Sequence, residues 1–217
     1  RAVLRLGEWA AAACPTATVV VSETLEKHYA EVHGRRVRCI PNAVGGIERR
    51  PLSSDLVERG LEKDNYLLFA GRISPEKGLD TLLDAMRPLP RDRKLVIAGG
   101  TSYTDGYIER VREAAWDEVV FLGHVDKNTM QQLYSNCYAF VLPSALEGLS
   151  VALLEALSYG NCIITTSIPE NLEVVGAAGL SFEAGDTAGL RAVLERVLGD
   201  EQLVAECRRE ALEVASS

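Results

Sequence analysis

The chain has no run of basic residues and no stretch where basic and aromatic side chains interleave. Its formal net charge is −8, so a nucleic acid would meet repulsion, and any bound phosphate has to be met by a few placed cations. No apolar stretch is long enough to span a bilayer; Ala10 to Cys14 is apolar but far too short, and nothing has the layout of a signal peptide. Cysteines are few and scattered (Cys14, Cys39, Cys137, Cys162, Cys207), with no C-x-x-C, which points to buried free thiols in a reducing, cytoplasmic compartment. A peripheral contact with a membrane stays open. There are only three histidines, none paired, and no His, Cys, Asp or Glu group has metal-ligand spacing along the chain, so no metal site is expected. The sequence lacks G-x-G-x-x-G after a strand and lacks G-x-x-x-x-G-K-[ST], which removes a dinucleotide fingerprint and a P-loop. It also lacks G-x-S-x-G, and neither Ser144 nor Ser150 has a histidine nearby in sequence, which argues against a hydrolase triad.

What is present reads as an ordinary globular chain. Its 217 residues suffice for one large domain, or one domain plus part of another, and 47% apolar with 25% charged is usual for such a protein. Thr18–Val21 and Val37–Ile40 read as short strands around a helix at about Thr24–Val32. Residues Asn42 to Ser54, with Gly45-Gly46 and Pro51, read as a linker. A regular series follows. Strands are expected at Tyr66–Ala70, Lys94–Ala98, Val119–Leu122, Tyr138–Leu142 and Cys162–Thr165. Helices are expected at Leu79–Met86, Tyr107–Ala115, Asn128–Asn136 and Val151–Tyr159, then at Thr187–Leu198 and Gln202–Val214. Strands alternating with helices imply an α/β fold with a doubly wound, Rossmann-like parallel sheet.

Three features place a site on that sheet. Glycine closely follows four of the five strands, at Gly71, Gly99-Gly100, Gly123 and Gly148, at the strand ends where such sheets bind ligands. The segment Gly71-Arg72-Ile73-Ser74-Pro75-Glu76-Lys77-Gly78 sends Arg72 off a strand end and brings Lys77 back at an expected helix start. A cation there opposes the helix dipole, which an anion bridging the two cations would explain; pairing with Glu76 or Asp80 in a surface loop is the competing reading. Glu147 lies in a loop and Glu155 eight residues on, inside an apolar helix starting near Ser150. Eight residues of helix rise about 12 Å. Two carboxylates at that reach, with the free N–H groups of a helix N-terminus between them, suit a ligand with hydroxyls at both ends and an anion in the middle, as in a nucleotide sugar.

Gly71-Arg72 through Pro75-Glu76-Lys77-Gly78, together with Glu147-x7-Glu155, resembles the retaining glycosyltransferases of the GT-B architecture, family 4 (group 1). Val20-Val21-Ser22, Ile40-Pro41-Asn42, Phe121 to Val125, Pro143-Ser144, Ala156 to Gly160, Ser167 to Asn171 and Glu173-Val174-Val175 continue the likeness over nearly the whole chain. The resemblance implies one GT-B half. Residues 1–45 would be the tail of an N-terminal acceptor domain and the crossover, and residues 46–217 the C-terminal nucleotide-sugar-binding domain. It implies that Glu155 accepts hydrogen bonds from the ribose diol and that Glu147 lies near the donor sugar. Arg72 and Lys77 would neutralise the diphosphate, with backbone N–H groups of Leu149 and Ser150 beyond Gly148 adding to them. The base would stack near Gly123, His124 and Val125, with Gly71 beside the donor. Glu147, Arg72 and Lys77 would carry catalysis of a retaining transfer without a divalent metal; D-x-D, common in metal-dependent glycosyltransferases of another architecture, is absent. No cofactor is implied beyond the nucleoside-diphosphate sugar, and the setting would be cell-envelope or glycan biosynthesis.

The chain departs from the family pattern in three places. Most of an N-terminal domain is missing, so the chain alone is expected to bind donor and transfer little. Asn42 is followed by Ala43-Val44-Gly45-Gly46 rather than Gly-Val-Asp, and no role is given to that linker. Leu149-Ser150 follow Gly148 where an aromatic and Gly or Pro are usual. Acceptor, sugar, base and oligomeric state are not legible. A standalone nucleotide-sugar binding module is the alternative, and a GT-B-like nucleotide-sugar C2-epimerase a third reading. Glu170 and Glu173 sit at an expected helix start, where capping and solvation stand beside contact with acceptor or donor; Trp9 and Trp116 read as packing residues rather than a sugar platform, and His124 as structural or solvent-facing rather than catalytic.

Overall fold

A computed structural model describes residues 2–100 and 105–216, with side chains from residue 7 onward except that of residue 105; the outermost residues of the two expected units, Arg1 and Ser217, fall outside it. The N-terminal part holds helix α1 (Ala2–Ala13), strand β1 (Val19–Val20), helix α2 (Glu23–His33) and strand β2 (Arg38–Cys39). β1 and β2 pair in parallel as a two-stranded sheet. Ser22 caps α2 by accepting a hydrogen bond from the Leu25 N–H, and Gly34 closes it in the left-handed conformation that glycine adopts without a Cβ penalty.

The main body runs α3 (Ser54–Glu58), β3 (Tyr66–Ala70), a single 3-10 turn (Pro75–Lys77), α4 (Leu79–Met86), β4 (Lys94–Ala98), α5 (Asp105–Ala114), β5 (Val119–Gly123), α6 (Lys127–Asn136) and β6 (Ala139–Leu142). It continues with α7 (Val151–Ser158), β7 (Cys162–Thr166), α8 (Pro169–Val175), β8 (Gly179–Phe182), α9 (Thr187–Gly199) and α10 (Glu201–Ala215). The six long-range strands form one all-parallel sheet in the order β5-β4-β3-β6-β7-β8. The chain starts in the middle, steps outward to one edge, returns, and steps outward to the other, as in a doubly wound sheet. β3, β6 and β7 are buried at every residue, and β4 at all but its first. Helices cover both faces, so β3, β4 and β6 are near-continuous apolar runs rather than alternating ones, and β7 is apolar up to its two buried threonines. Two buried hydroxyls tie elements together: that of Tyr66 donates to the Leu133 carbonyl at 2.8 Å, and that of Tyr138 to the Val197 carbonyl at 2.8 Å.

Several expectations need correction. β8 is a sixth strand that the sequence reading left out. α1 is a helix of 12 residues where only a short apolar run was noted. Lys77 does not open a helix; it ends the 3-10 turn, and α4 begins two residues later at Leu79. All five cysteines are free thiols, but only Cys137, Cys162 and Cys207 are buried; Cys14 is exposed and Cys39 half-buried. Trp9 is 57% exposed rather than packed, whereas Trp116 packs against the core.

Candidate functional site

The strand order reverses between β3 and β6, and their carboxyl ends open the crevice where such sheets hold ligands. The floor is made of chain ends lying against one another. The Gly71 N–H donates to Ala98 O at 3.0 Å, Gly99 N–H to Gly123 O at 2.8 Å, and Ile73 N–H to Gly100 O at 2.9 Å. A Cβ on Gly99 would lie 1.8 Å from the Gly71 carbonyl oxygen, so only glycine lets these strand ends meet.

Above that floor lies a cleft of about 260 Å³. Its lining includes Gly71 and Arg72 from the end of β3, His124 and Val125 from the end of β5, and Glu155 from α7. A second hollow of about 320 Å³ adjoins it, sharing Glu155 and Val125 and bounded by Val44, Gly45, Gly46 and Ile47 of the linker. Met130 and Tyr134 of α6 line both. The structure therefore brings Arg72, His124, Val125 and Glu155 together as the sequence suggested. It adds Met130, Tyr134 and the linker, which the sequence reading missed. The two α6 residues sit in an unremarkable amphipathic stretch. The linker carries no polar side chain from Ala43 to Ile47 that could have flagged it.

Tyr134 faces Glu155. Burial holds its hydroxyl well above the usual tyrosine range, and the adjacent Glu155 carboxylate pushes the same way. The phenol therefore stays neutral, and it donates a hydrogen bond to the Ala152 carbonyl at 3.3 Å. Glu155 also accepts from this phenol, and its carboxylate, with several lone pairs, keeps further acceptor capacity in the cleft it lines.

Lys77 and Glu147 are not among the residues lining that cleft; they meet where the loops that follow β3 and β6 come together. Lys77 Nζ lies 2.7 Å from Glu147 Oε1, and their side chains are only 13% and 7% exposed. The loops that carry them are fastened together. Ala145 N–H donates to Glu76 O at 2.8 Å, and a Cβ on Gly78 would lie 2.3 Å from the Pro143 carbonyl oxygen. Glu76 does not pair with Lys77 through its side chain. It accepts from the Ser74 hydroxyl at 2.6 Å, which with its own backbone N–H and the nearby Arg72 and Lys77 charges holds its carboxyl below the usual value. Arg72 is exposed and makes no ion pair among the described residues.

α7 starts where expected, after Gly148-Leu149. Ser150 is buried and is its N-cap, accepting from the Leu153 N–H at 3.3 Å. The Leu149 and Ser150 N–H groups find no backbone or side-chain acceptor among the described residues. Beneath the loop, Thr166 donates to Ser144 O at 2.5 Å and Asn171 Nδ2 donates to Thr166 Oγ1 at 2.8 Å, a buried polar support for the segment before Glu147. Ser144 is wholly buried in that support.

Glu173 does not cap its own helix. It reaches from α8 to the N-terminal part, accepting from Glu23 N–H at 2.6 Å and from Thr24 N–H and hydroxyl at 3.0 and 2.7 Å. Nor are all histidines isolated: His28 and His33 converge on Glu8, a grouping that spacing along the chain did not reveal.

The sequence matches the family model "Glycosyl transferases group 1" over residues 56–214, and the chain belongs to that family. It is 30% identical over 144 residues to O-antigen chain mannosyltransferase B of Escherichia coli, covering 63% of this chain and 37% of that protein. It is 35% identical over 143 residues to glycogen synthase of Mycobacterium tuberculosis, covering 62% of this chain and 34% of that one. The chain thus spans roughly a third of the length of these relatives. Among solved structures, the Anabaena HepE complex with UDP and glucose superimposes with a TM-score of 0.85 at 20% identity, over 98% of this chain and 62% of that one. The Thermosynechococcus elongatus sucrose-phosphate synthase gives 0.80 at 21% identity, over 100% and 57%. The fold is the Rossmann-like half of the GT-B architecture. No helix among the described residues is long and apolar enough to cross a membrane.

Proposed function

We propose that this chain is the donor-binding half of a retaining glycosyltransferase, with residues 46–217 holding a nucleoside-diphosphate sugar and residues 1–45 belonging to the acceptor half and crossover. The observation that supports this reading is the cleft at the switch point, lined by both Arg72 and Glu155; the Lys77–Glu147 pair joins the loops that follow β3 and β6. Glu155 accepts from the ribose diol, and the base lies over Gly123 to Val125. Arg72, Lys77 and the Leu149 and Ser150 N–H groups meet the diphosphate, and Glu147 stands by the sugar. In transfer, the bond from the anomeric carbon to the diphosphate oxygen breaks, a new bond forms from that carbon to the oxygen of an acceptor hydroxyl, and the hydroxyl proton passes to the leaving diphosphate. The negative charge that grows on the leaving diphosphate is met by Arg72 and Lys77, fixed donors that do what a metal ion would otherwise do. Retention of configuration and independence of metal follow from this reading, and no further cofactor is needed. Without a complete acceptor half the chain binds donor and transfers little. The acceptor classes to test are a glycan, a lipid and a small molecule, and an envelope setting is compatible with the O-antigen relative.

HepE is described with UDP and with UDP-glucose, which puts UDP first among the nucleotides to try. The test is a calorimetric titration of the chain with UDP, GDP and ADP without metal. Binding of one nucleotide is expected. Arg72→Ala should weaken it at least about tenfold, or ~1.4 kcal/mol, and Glu155→Ala should weaken it too. Affinity unchanged in folded Arg72→Ala and Glu155→Ala proteins would refute the donor site. Binding without transfer by the complete protein would favour a binding module, and turnover of the nucleotide sugar to its C2 epimer without acceptor would favour an epimerase.

A further inference from the structure

The N-terminal helical pair carries a second cluster of ligating groups, away from the donor cleft. The Nε2 atoms of His28 and His33, both on α2, point at one carboxylate oxygen, Oε1 of Glu8 on α1. The His33 distance is 3.2 Å, and the three donor atoms lie within 4.8 Å of one another. This convergence does not follow from local helix geometry. Residues five apart on a helix are rotated by about 140° from each other. His33 can turn back towards Glu8 because it is the last residue of α2, directly before Gly34 in the left-handed conformation. The two imidazole rings stand 6.0 Å apart by centroid, nearly perpendicular, and His33 is only 13% exposed.

We propose that Glu8, His28 and His33 form a binding site for a divalent transition-metal ion of the zinc class, which staples α1 to α2. Two imidazole nitrogens and a carboxylate are a borderline donor set that suits zinc and its neighbours rather than magnesium or calcium. Zinc holds such ligands at about 2.0–2.2 Å, so neighbouring donor atoms in a tetrahedral site stand about 3.4 Å apart. The His33–Glu8 spacing of 3.2 Å is close to this, and small rotations of half-exposed His28 and Glu8 side chains bring the third atom into place. Three protein ligands leave a fourth position for water. Coordination through Nε2 requires the proton of each neutral ring to be on Nδ1. Simple hydrogen bonding to Glu8 requires it on Nε2 in both rings, so the two readings differ in chemistry and in outcome.

The experiment uses the whole chain, freed of metal by chelation, titrated with zinc in the calorimeter and with cobalt(II) followed by absorption. One equivalent of zinc should bind, cobalt should give a tetrahedral spectrum without a thiolate charge-transfer band, and zinc should raise the melting temperature. Loss of a group outside the ligand shell commonly costs metal sites about 10–100-fold; loss of a ligand in His28→Ala or His33→Ala should cost at least that and abolish the thermal shift. Glu8→Gln keeps the shape and hydrogen-bonding capacity and should still weaken the metal. Nucleotide titration and far-ultraviolet circular dichroism should be unchanged in all three, showing that they fold. No binding by the parent chain, or binding unaffected by both histidine variants, overturns the proposal. So does a thiolate band abolished by Cys14→Ser, which would place the metal on the exposed thiol.

Discussion

The Lys77–Glu147 pair offers the sharpest test of how the loops that follow β3 and β6 are held together. Two unit charges 2.7 Å apart have a gross attraction of about 6 kcal/mol at an effective dielectric constant near 20. The net effect is smaller, because both groups gave up water to make the pair. With exposures of 13% and 7% it behaves as a buried bridge rather than a surface one. Glu147→Gln preserves the shape and leaves the Lys77 ammonium facing a neutral amide. Removing one partner of a buried pair costs about 3–5 kcal/mol; we expect about 3 kcal/mol, since water can reach the lysine in part. For a chain of this size each kcal/mol moves the melting temperature by about 2–4 °C, giving a drop of roughly 6–12 °C. The double variant Lys77→Met with Glu147→Gln removes the stranded charge and should return to within about 1 kcal/mol of the parent. Urea and thermal unfolding followed by circular dichroism of the parent, Glu147→Gln, Lys77→Met and the double variant measure the four corners of the cycle. A single variant within about 0.5 kcal/mol of the parent would show that solvent screens the pair, and a double variant no better than the single would show that the loss is one of packing.

Two further outcomes follow from neighbouring geometry. Gly78 has φ of +67° and faces the Pro143 carbonyl, so Gly78→Ala meets both a left-handed backbone cost of about 1–2 kcal/mol and an overpacking cost of about 1–3 kcal/mol; urea unfolding should show a loss in that combined range. Burial pushes the Glu173 carboxyl up, but hydrogen bonds from Thr24 and Glu23 outweigh this and hold it below the ordinary value of 4.5. A lowered folded value means its stabilisation is present above about pH 4.5 and fades as pH falls through the folded value. Protection of the amides in the first turn of α2, that is, exchange relative to the intrinsic rate at each pH, should therefore fall as pH drops through the folded value in the parent chain. In Glu173→Gln the protection should be lower already at neutral pH and should change much less with pH.

The sheet was legible because its central strands are buried on both faces and so appear as unbroken apolar runs. β8 was not: Gly179-Leu180-Ser181-Phe182 lies at the sheet edge, is buried only at Phe182, and is too short and mixed to stand out. α1 was hidden by a run of alanines with no polar cap, a segment whose helicity sequence pattern signals weakly. At the site, Arg72 and Glu155 were legible as charged residues leaving or entering apolar elements near glycine. That Lys77 would pair with Glu147 rather than Glu76 or Asp80 was not, because 70 residues separate them and only the sheet order brings their loops together. The Glu8–His28–His33 cluster escaped for the same reason, since one member comes from another helix and the other two have no helical register in common.

The connection between the two sheets is not uniformly free. From Glu48 onward it is tied to α6 and α7. Tyr159 donates to Glu48 O, Arg49 to Tyr159 O, and the Arg50 N–H to Ser135 Oγ, while Gln132 accepts from the Ser53 N–H. On the other side, Ile40 N–H is bonded to Val20 O. Only residues 41–47 lie between these anchors, a tether of about 25 Å when fully extended. Any swing of the N-terminal part must pivot within those seven residues and must first release Glu173 from the start of α2. Because Val44 to Ile47 also wall the hollow beside Glu155, the pivot and the pocket share the same stretch of chain. A ligand seated there would stiffen the hinge, and a hinge pulled straight would unroof the ligand.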